Sequence, residues 1–599
     1  MRYTINAGET TGPFAHFWQS TGFMPADLLL GAEMRQTLQY IGGVPHGGIT
    51  HNRIHYLLNL VGGEDLLGEN PRYDWSRLDA GIDVLVENRM KPFFELMGNP
   101  SEAWSDFHAP AQLHAWKRLV TNLALHLMER YGTDEVESWY FETWNEPDTG
   151  WWHQFPKDVA SFCKYYDACS EGLLAANPNL TFGGAGSCAG LTPWLKAFLA
   201  HLDTGTNAFT GEQGQRVDFI SVHEKGASPT AEDINPNSMT IVDHEALIVE
   251  YIRAHHPRLA DVPYMNNECD PQVGWRDVHT WHAKPYYAAF IAKMISQHQR
   301  RLVDEMGVPY VILSNDNGFT GVWGNRTHLA RQGKKDQLER GEFALIKKPA
   351  LNVMTMLALL GDAQVAVDGQ GDVADDLGVI ATRRGDDQIA VLVYHSRDRI
   401  MSSGCETVLV DLTGLPFAAA SLVHYRIDEA HGNPFGVWEA QFGNPALPRH
   451  DTPESIAAMR AVQELEALDA PREVALPGGT LSLTFDLPLH TVSLILLTAK
   501  PAEAPEAVVG LTAEVYPGMF PETQEDVMLL WEPLDSRALH TYEVLHATAP
   551  EGPFERINTQ DLLCGAFLHA RPKGQAGHYR VRAVDYWGRP GMATEAMAI

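Results

Sequence analysis

Between residues 14 and 320 short apolar or aromatic runs alternate with helical patterns, the order expected of parallel strands joined by crossover helices. Eight runs stand out: FAHFWQSTGF, GITHNRIHYLL, KPFFELM, SWYFETW, LTFGGAG, VDFISVH, VPYMNNE and PYVILSND. Between the third and fourth, QLHAWKRLVTNLALHLMERYG repeats Leu113, Trp116, Val120, Leu123 and Leu127 at helical spacing and ends on Gly132, which predicts a helix covering a sheet. Eight such units match the count and size of a (β/α)8 TIM barrel over residues 15–362. Beyond it the texture changes to hairpin material such as VIATRRGDDQIAVLVYHS and LSLTFDLPLHTVSLILL, a β-sandwich that takes in residues 1–14 and 363–505 with PESIAAMRAVQELEAL as a helical insertion. AKPAEAPEAVVG has the composition of a linker, and VMLLWEPL, TYEVLHA and HYRVRAVDYWG are spaced like strands of a fibronectin type III-like domain over 506–599.

Composition narrows the partners. The 599 residues are 45% hydrophobic, enough for a large core, and 45 Lys+Arg against 76 Asp+Glu give a net charge of -31. Such a field repels phosphate backbones and anionic headgroups, so neither a nucleic acid nor a membrane is an expected partner. It also slows a polyanionic substrate unless a local basic pocket collects it. The opening MRYTINAGETTG lacks the basic-then-apolar order of a secretory signal, which leads to the expectation of a soluble, cytoplasmic protein. The six cysteines show no CxxC pairing, so neither a disulfide scaffold nor a zinc ribbon is indicated. His46, His51 and His55 form no HExxH or HxH motif, and no metal is expected.

The candidate chemistry lies at strand ends. Glu146 in FETWNEPD follows the fourth run and Glu268 follows the seventh, so a closed barrel brings both to one mouth from opposite sides. Two facing carboxyls suit glycoside hydrolysis, one protonating the leaving oxygen while the other attacks or activates water. A gap of roughly 5 to 5.5 Å means a covalent intermediate and retention, whereas roughly 6.5 to 9.5 Å leaves room for water and gives inversion. Glu142, four residues before Glu146, is expected about 13 Å deeper at ~3.3 Å per strand residue. Asp148 and Asp270 are expected to hold loops or neighbouring side chains.

With these residues in place, FWQSTGF, VPHGGI, FELMG, FETWNEPD, YYDACSEGL, DTGTNAFTGE, SVHEKGAS, NECDPQVGW, SNDNGF, RTHLAR, KKPAL and YRVRAVDYWGRPG resemble, in order, segments of glycoside hydrolase family 39 and of its iduronide-cleaving branch. The resemblance implies a retaining exo-glycosidase acting on terminal α-L-iduronic acid in small oligosaccharides, without cofactor. It makes Glu146 the acid/base and Glu268 the nucleophile, with Asn145 near the sugar 2-hydroxyl and His55 on the sugar. It assigns Lys225, Arg326 and the backbone N–H groups of Gly274 and Trp275 to the substrate carboxylate, and Asp316 to hydrogen bonds with the sugar. Arg53, behind the nucleophile, and His46 are supporting residues. Thr149 stands where that branch has a histidine, and the stretch from Asp316 to Arg326 is shorter than in the animal enzymes. A β-xylosidase is the alternative within the family; a non-catalytic carbohydrate-binding protein is the alternative outside enzymes.

Overall fold

The computed structural model describes residues 1–106, 109–149, 158–188, 190–227, 235–274, 277–443 and 451–599. Eight parallel strands form a barrel in chain order: β1 Ser20–Pro25, β2 His51–His55, β3 Lys91–Glu95, β4 Tyr140–Glu142, β5 Thr181–Ser187, β6 Phe219–Val222, β7 Tyr264–Asn266 and β8 Tyr310–Leu313. Six lie wholly inside one of the eight apolar runs, while β1 continues two residues and β5 one residue past the end of its run. The first run differs in detail, because its aromatic half, Phe14–Trp18, precedes the strand and seals the seam between β1 and β8. There Leu313 N–H donates to the Phe17 carbonyl at 2.8 Å, the two rings of Phe17 and Tyr310 pack at 5.3 Å, and Gly22 N–H donates to the Asp316 carbonyl at 2.5 Å.

Period-two alternation decides what the barrel contains. Phe93, Phe219, Met265 and Ile312 point inward from four strands and form a dry plug. Two residues further along the chain the positions turn polar, to Glu95 and Ser221 within β3 and β6 and to Asn267 and Ser314 just past β7 and β8, all buried. An apolar floor thus carries a polar layer, and the site is built on that layer. Outside, the helix Pro110–Tyr131 buries the whole predicted stripe of Leu113, Trp116, Val120, Leu123 and Leu127, and stops where Gly132 takes a φ of 92°.

A ten-stranded sheet with its own core follows. The N-terminal strand Arg2–Pro13 belongs to it, antiparallel to Ala363–Asp368 and parallel to Cys405–Thr413. Helices Pro434–Phe442 and Pro453–Arg460 interrupt it. The last residues form a three-stranded and a four-stranded sheet around Trp531 and Tyr542, a fibronectin type III-like arrangement. This module rests on the barrel, where Gly565 N–H donates to the Gly43 carbonyl at 2.7 Å and Arg35 binds Glu514 through contacts of 2.7 to 2.9 Å. No helix among the described residues is long and apolar enough to cross a membrane.

Candidate active site

The chain leaves β4 at Glu142 and does not run straight on to Glu146. It turns, and Glu146 adopts a left-handed φ of 43° with its N–H donating to the Gly186 carbonyl at 3.0 Å. Non-glycine residues in that conformation are strained and collect at functional sites. The turn corrects the depth expected for Glu142. Arg53 Nε donates to Glu142 at 2.7 Å while Nη1 donates to Glu268 at 2.8 Å, so one guanidinium spans the two carboxyls. Arg53 also reaches Glu95 at 2.5 Å and the Asn145 side-chain oxygen at 3.1 Å. Glu142 further accepts from Asn267 at 2.8 Å and from the Ser221 hydroxyl.

Above this base Glu146 and Glu268 face each other, 8% and 4% exposed. Lys225 Nζ lies 3.1 Å from Glu146 Oε1, 3.0 Å from Glu268 Oε2 and 3.1 Å from Asp270 Oδ2. Burial pushes the Glu146 carboxyl up, but the Lys225 charge and the His223 hydrogen bond outweigh it and hold the group down at about 2. Glu268 is likewise driven upward by burial and brought well below the ordinary carboxylate range by Lys225, His223 and Arg53. Desolvation disfavours the charge on Lys225, yet Asp270, Glu146 and Glu268 raise it well above a free lysine. Lys225 thus stays protonated between two carboxylates that it keeps ionised.

Glu146, Glu268 and His223 offer oxygen and nitrogen atoms within 4.8 Å of one another, a spacing that a metal ion also uses. Here the Lys225 ammonium already lies against both carboxylates, and a divalent ion would have to displace it.

Of the sequence-predicted residues, Arg53, His55, Asn145, Glu146, Lys225 and Glu268 come together in one contact network. His55 Nδ1 lies 2.6 Å from Glu95 and its Nε2 3.6 Å from Glu268, with its ring stacked on Phe23 at 4.6 Å. Arg326 forms an ion pair with Asp270 and donates to Asn317 at 3.0 Å, so Asp270 joins the two cations. Asp316 is buried, accepts from Asn317 N–H at 2.9 Å, and has its carboxyl raised by burial. Gly274 lies on the loop after β7 with a φ of 109°. Trp275 lies outside the described residues. His46 does not belong to the site: it precedes β2, at the opposite end of the barrel, with Nδ1 2.9 Å from Asp535. The Thr149 hydroxyl donates to the Glu146 carbonyl at 2.9 Å.

His223, Glu95 and Asn267 also belong to this network, outside the residues that the sequence singles out. His223 Nδ1 lies 3.0 Å from Glu146 and 3.8 Å from Glu268. The signal was available, since Ser221, His223 and Lys225 follow one another at period two off the end of β6 and all face inward.

The profile described as glycosyl hydrolases family 39 matches residues 1–479, and one described as alpha-L-iduronidase C-terminal domain matches 518–598. Alpha-L-iduronidase of Canis lupus familiaris is 36% identical over 98% of this chain and 91% of its own length, and that of Homo sapiens gives the same values. A crystal structure of a bacterial orthologue of human α-L-iduronidase superposes with a TM-score of 0.93 at 39% identity, covering 100% of this chain and 99% of that one.

Proposed function

Because the chain belongs to glycosyl hydrolase family 39 and is an O-glycosyl hydrolase acting on carbohydrate, we propose that it releases terminal α-L-iduronic acid from glycosaminoglycan-derived oligosaccharides, with retention of configuration. The observation that carries this reading is the cation between the catalytic carboxylates: Lys225 Nζ at 3.1 and 3.0 Å from Glu146 and Glu268, backed by Arg326 through Asp270. A sugar carboxylate entering such a mouth finds positive charge already desolvated and oriented. Without partners, burying that anion would cost several kcal/mol.

Glu268 acts as nucleophile, kept ionised by Arg53 and Lys225. Glu146 acts as acid and then as base. The nearest oxygens of the two carboxyls lie within 4.8 Å, an approach that favours the closer spacing of retaining enzymes and so supports a covalent glycosyl-enzyme. When the substrate carboxylate takes up the Lys225 charge, Glu146 loses its principal stabilising cation and its proton affinity rises, which prepares it to protonate the leaving oxygen. Asn145, held by Arg53, is placed to hydrogen-bond the sugar as its ring flattens.

Aryl α-L-iduronide and aryl β-D-xyloside assayed side by side, with the first-formed anomer followed by proton NMR, test the reading. The expected result is preference for iduronide and an α-configured first product. Preference for xyloside overturns the substrate, and an inverted product overturns the mechanism.

A further inference from the structure

A second concentration of positive charge lies at the other end of the barrel. A cavity of about 450 Å³ opens where the barrel floor, the sandwich and the C-terminal module meet, and each contributes an arginine to its lining. Arg89 comes from the turn after the barrel helix Ser76–Glu87, Arg384 ends the sandwich strand Leu377–Arg384, and Arg537 stands in the module before the strand Leu539–Ala547. His46 lines the same space. One acid, Asp535, is among the lining residues; its side chain is 71% exposed and is shared between His46 at 2.9 Å and Arg384 at 3.4 Å.

The other hydrogen bonds of these arginines go to neutral carbonyls. Arg537 Nη1 donates to Ala358 at 2.9 Å and Leu360 at 3.3 Å, and Arg89 Nη2 donates to Gly42 at 3.0 Å. The Arg537 Nε is buried without a hydrogen-bond partner. Three guanidiniums drawn from three domains thus line one space with Asp535, while Glu532 and Asp362 act on Arg89 and Arg537 from outside that lining, in a molecule whose net charge is -31. Mutual repulsion is felt there. Burial, reinforced by Arg384, brings Arg537 down to about 10, and His46 is lowered first by burial and further by both arginines.

We propose that this cavity is an oxyanion site, taking a tetrahedral dianion such as sulfate or phosphate, free or esterified to a sugar, and that its occupant ties the three domains together. Guanidinium forks match such oxygens with paired charge-assisted hydrogen bonds, and the anion removes the repulsion between Arg384 and Arg537. The site lies beyond the N-terminal ends of the strands, so its occupant does not meet the catalytic carboxylates. An anion bound to the folded assembly alone raises its stability by mass action.

The test is calorimetric titration of inorganic sulfate into the full chain, with thermal unfolding in sulfate and in chloride at matched ionic strength. The proposal expects saturable sulfate binding and an excess rise of melting temperature in sulfate over chloride that shrinks in the double variant below, since sulfate also stabilises folded proteins without a site. The double variant Arg89→Ala/Arg384→Ala should weaken binding by about tenfold or more, as expected when two charge-assisted contacts are removed. Both side chains are on the surface, and turnover of an aryl glycoside by the variant reports that it has folded. Lys225→Met should leave sulfate binding unchanged. Titration of a sulfated disaccharide distinguishes the source: inorganic sulfate binding that the double variant loses supports a free anion, and binding confined to the ester and lost in the same variant supports a sugar-borne one. Equal affinity in the double variant, equal stabilisation by chloride, or sulfate inhibition competitive with the aryl substrate overturns the proposal.

Discussion

At Glu146 the observed surroundings and the proposed acid role call for opposite protonation states. Lys225, His223 and the surrounding burial leave its carboxyl at about 2, ionised at any working pH, whereas protonating a glycosidic oxygen requires the acid form. A substrate anion that draws the Lys225 charge away raises this pKa, so the bound state holds more protons than the free one. Affinity for iduronate should therefore fall as pH rises, with uptake of up to about one proton per ligand. Calorimetry of iduronate binding in two buffers of different ionisation enthalpy checks this; heats independent of the buffer sink it. Lys225→Met and Arg326→Met should reduce kcat/KM on aryl iduronide by about 100-fold or more, the scale of removing a charge-assisted contact that strengthens in the transition state, with much smaller losses on an uncharged pentoside. Equal losses on both mean these cations do not read the carboxylate. Glu268→Ala should remove turnover altogether, and wild-type rates in that variant would end its assignment as nucleophile. Glu146→Ala should lose roughly 10²- to 10⁴-fold, least on aryl glycosides whose leaving group needs no proton.

The elements matter through where they stop. Strand β4 ends three residues before Asn145, and the turn that follows lets Arg53 touch both Glu142 and Glu268 while Glu146 faces Lys225. Gly186, at the end of β5, makes that turn possible. Its carbonyl receives the Glu146 N–H, its φ is 59°, and a Cβ built on it would stand 3.3 Å from Arg53 Nη2 and 3.4 Å from His223 Nε2. Gly186→Ala should cost about 1–3 kcal/mol from backbone strain and also lower kcat by displacing Arg53. Gly211→Ala, at a φ of 75° with nothing within 4 Å, should carry the backbone cost alone. Urea unfolding with kinetics on both variants separates the effects, and unchanged kcat in Gly186→Ala would show that the close approach does not matter to catalysis.

At the scale of the whole molecule, the C-terminal module braces the barrel through the helix Ala32–Ile41, which carries Arg35. Arg35, about one-third exposed, holds Glu514 of the module at 2.7 to 2.9 Å. Arg35→Ala should lower stability by about 0.5–1 kcal/mol, the range for a partly exposed ion pair, and leave kcat unchanged. A fall in kcat at unchanged stability would place the module in the reaction instead. A net charge of -31 also means that self-repulsion opposes folding. Raising sodium chloride from about 10 to 150 mM shortens the screening length from roughly 30 to 8 Å and should raise the melting temperature; a decrease would show that screened surface ion pairs outweigh the repulsion.

Local patterns determined the elements. Period-two and period-3.6 spacing reflect which face of a strand or helix meets the core, a property of neighbouring residues, and so the eight strands and the stripe of the helix Pro110–Tyr131 were legible from the chain. The motif at FETWNEPD and its counterpart at NNECD likewise marked the two carboxylates that the fold brings face to face. Contacts between segments far apart in sequence were decided by the tertiary structure. Arg53 meets Glu268 across 215 positions, and no periodicity encodes that meeting. His46, close to His55 in sequence, lies at the other end of the barrel because strand β2 carries the chain from one rim to the other between them. Charge behaves in the same way: the balance of -31 follows from composition, but three arginines come to line one cavity only when three domains close upon each other.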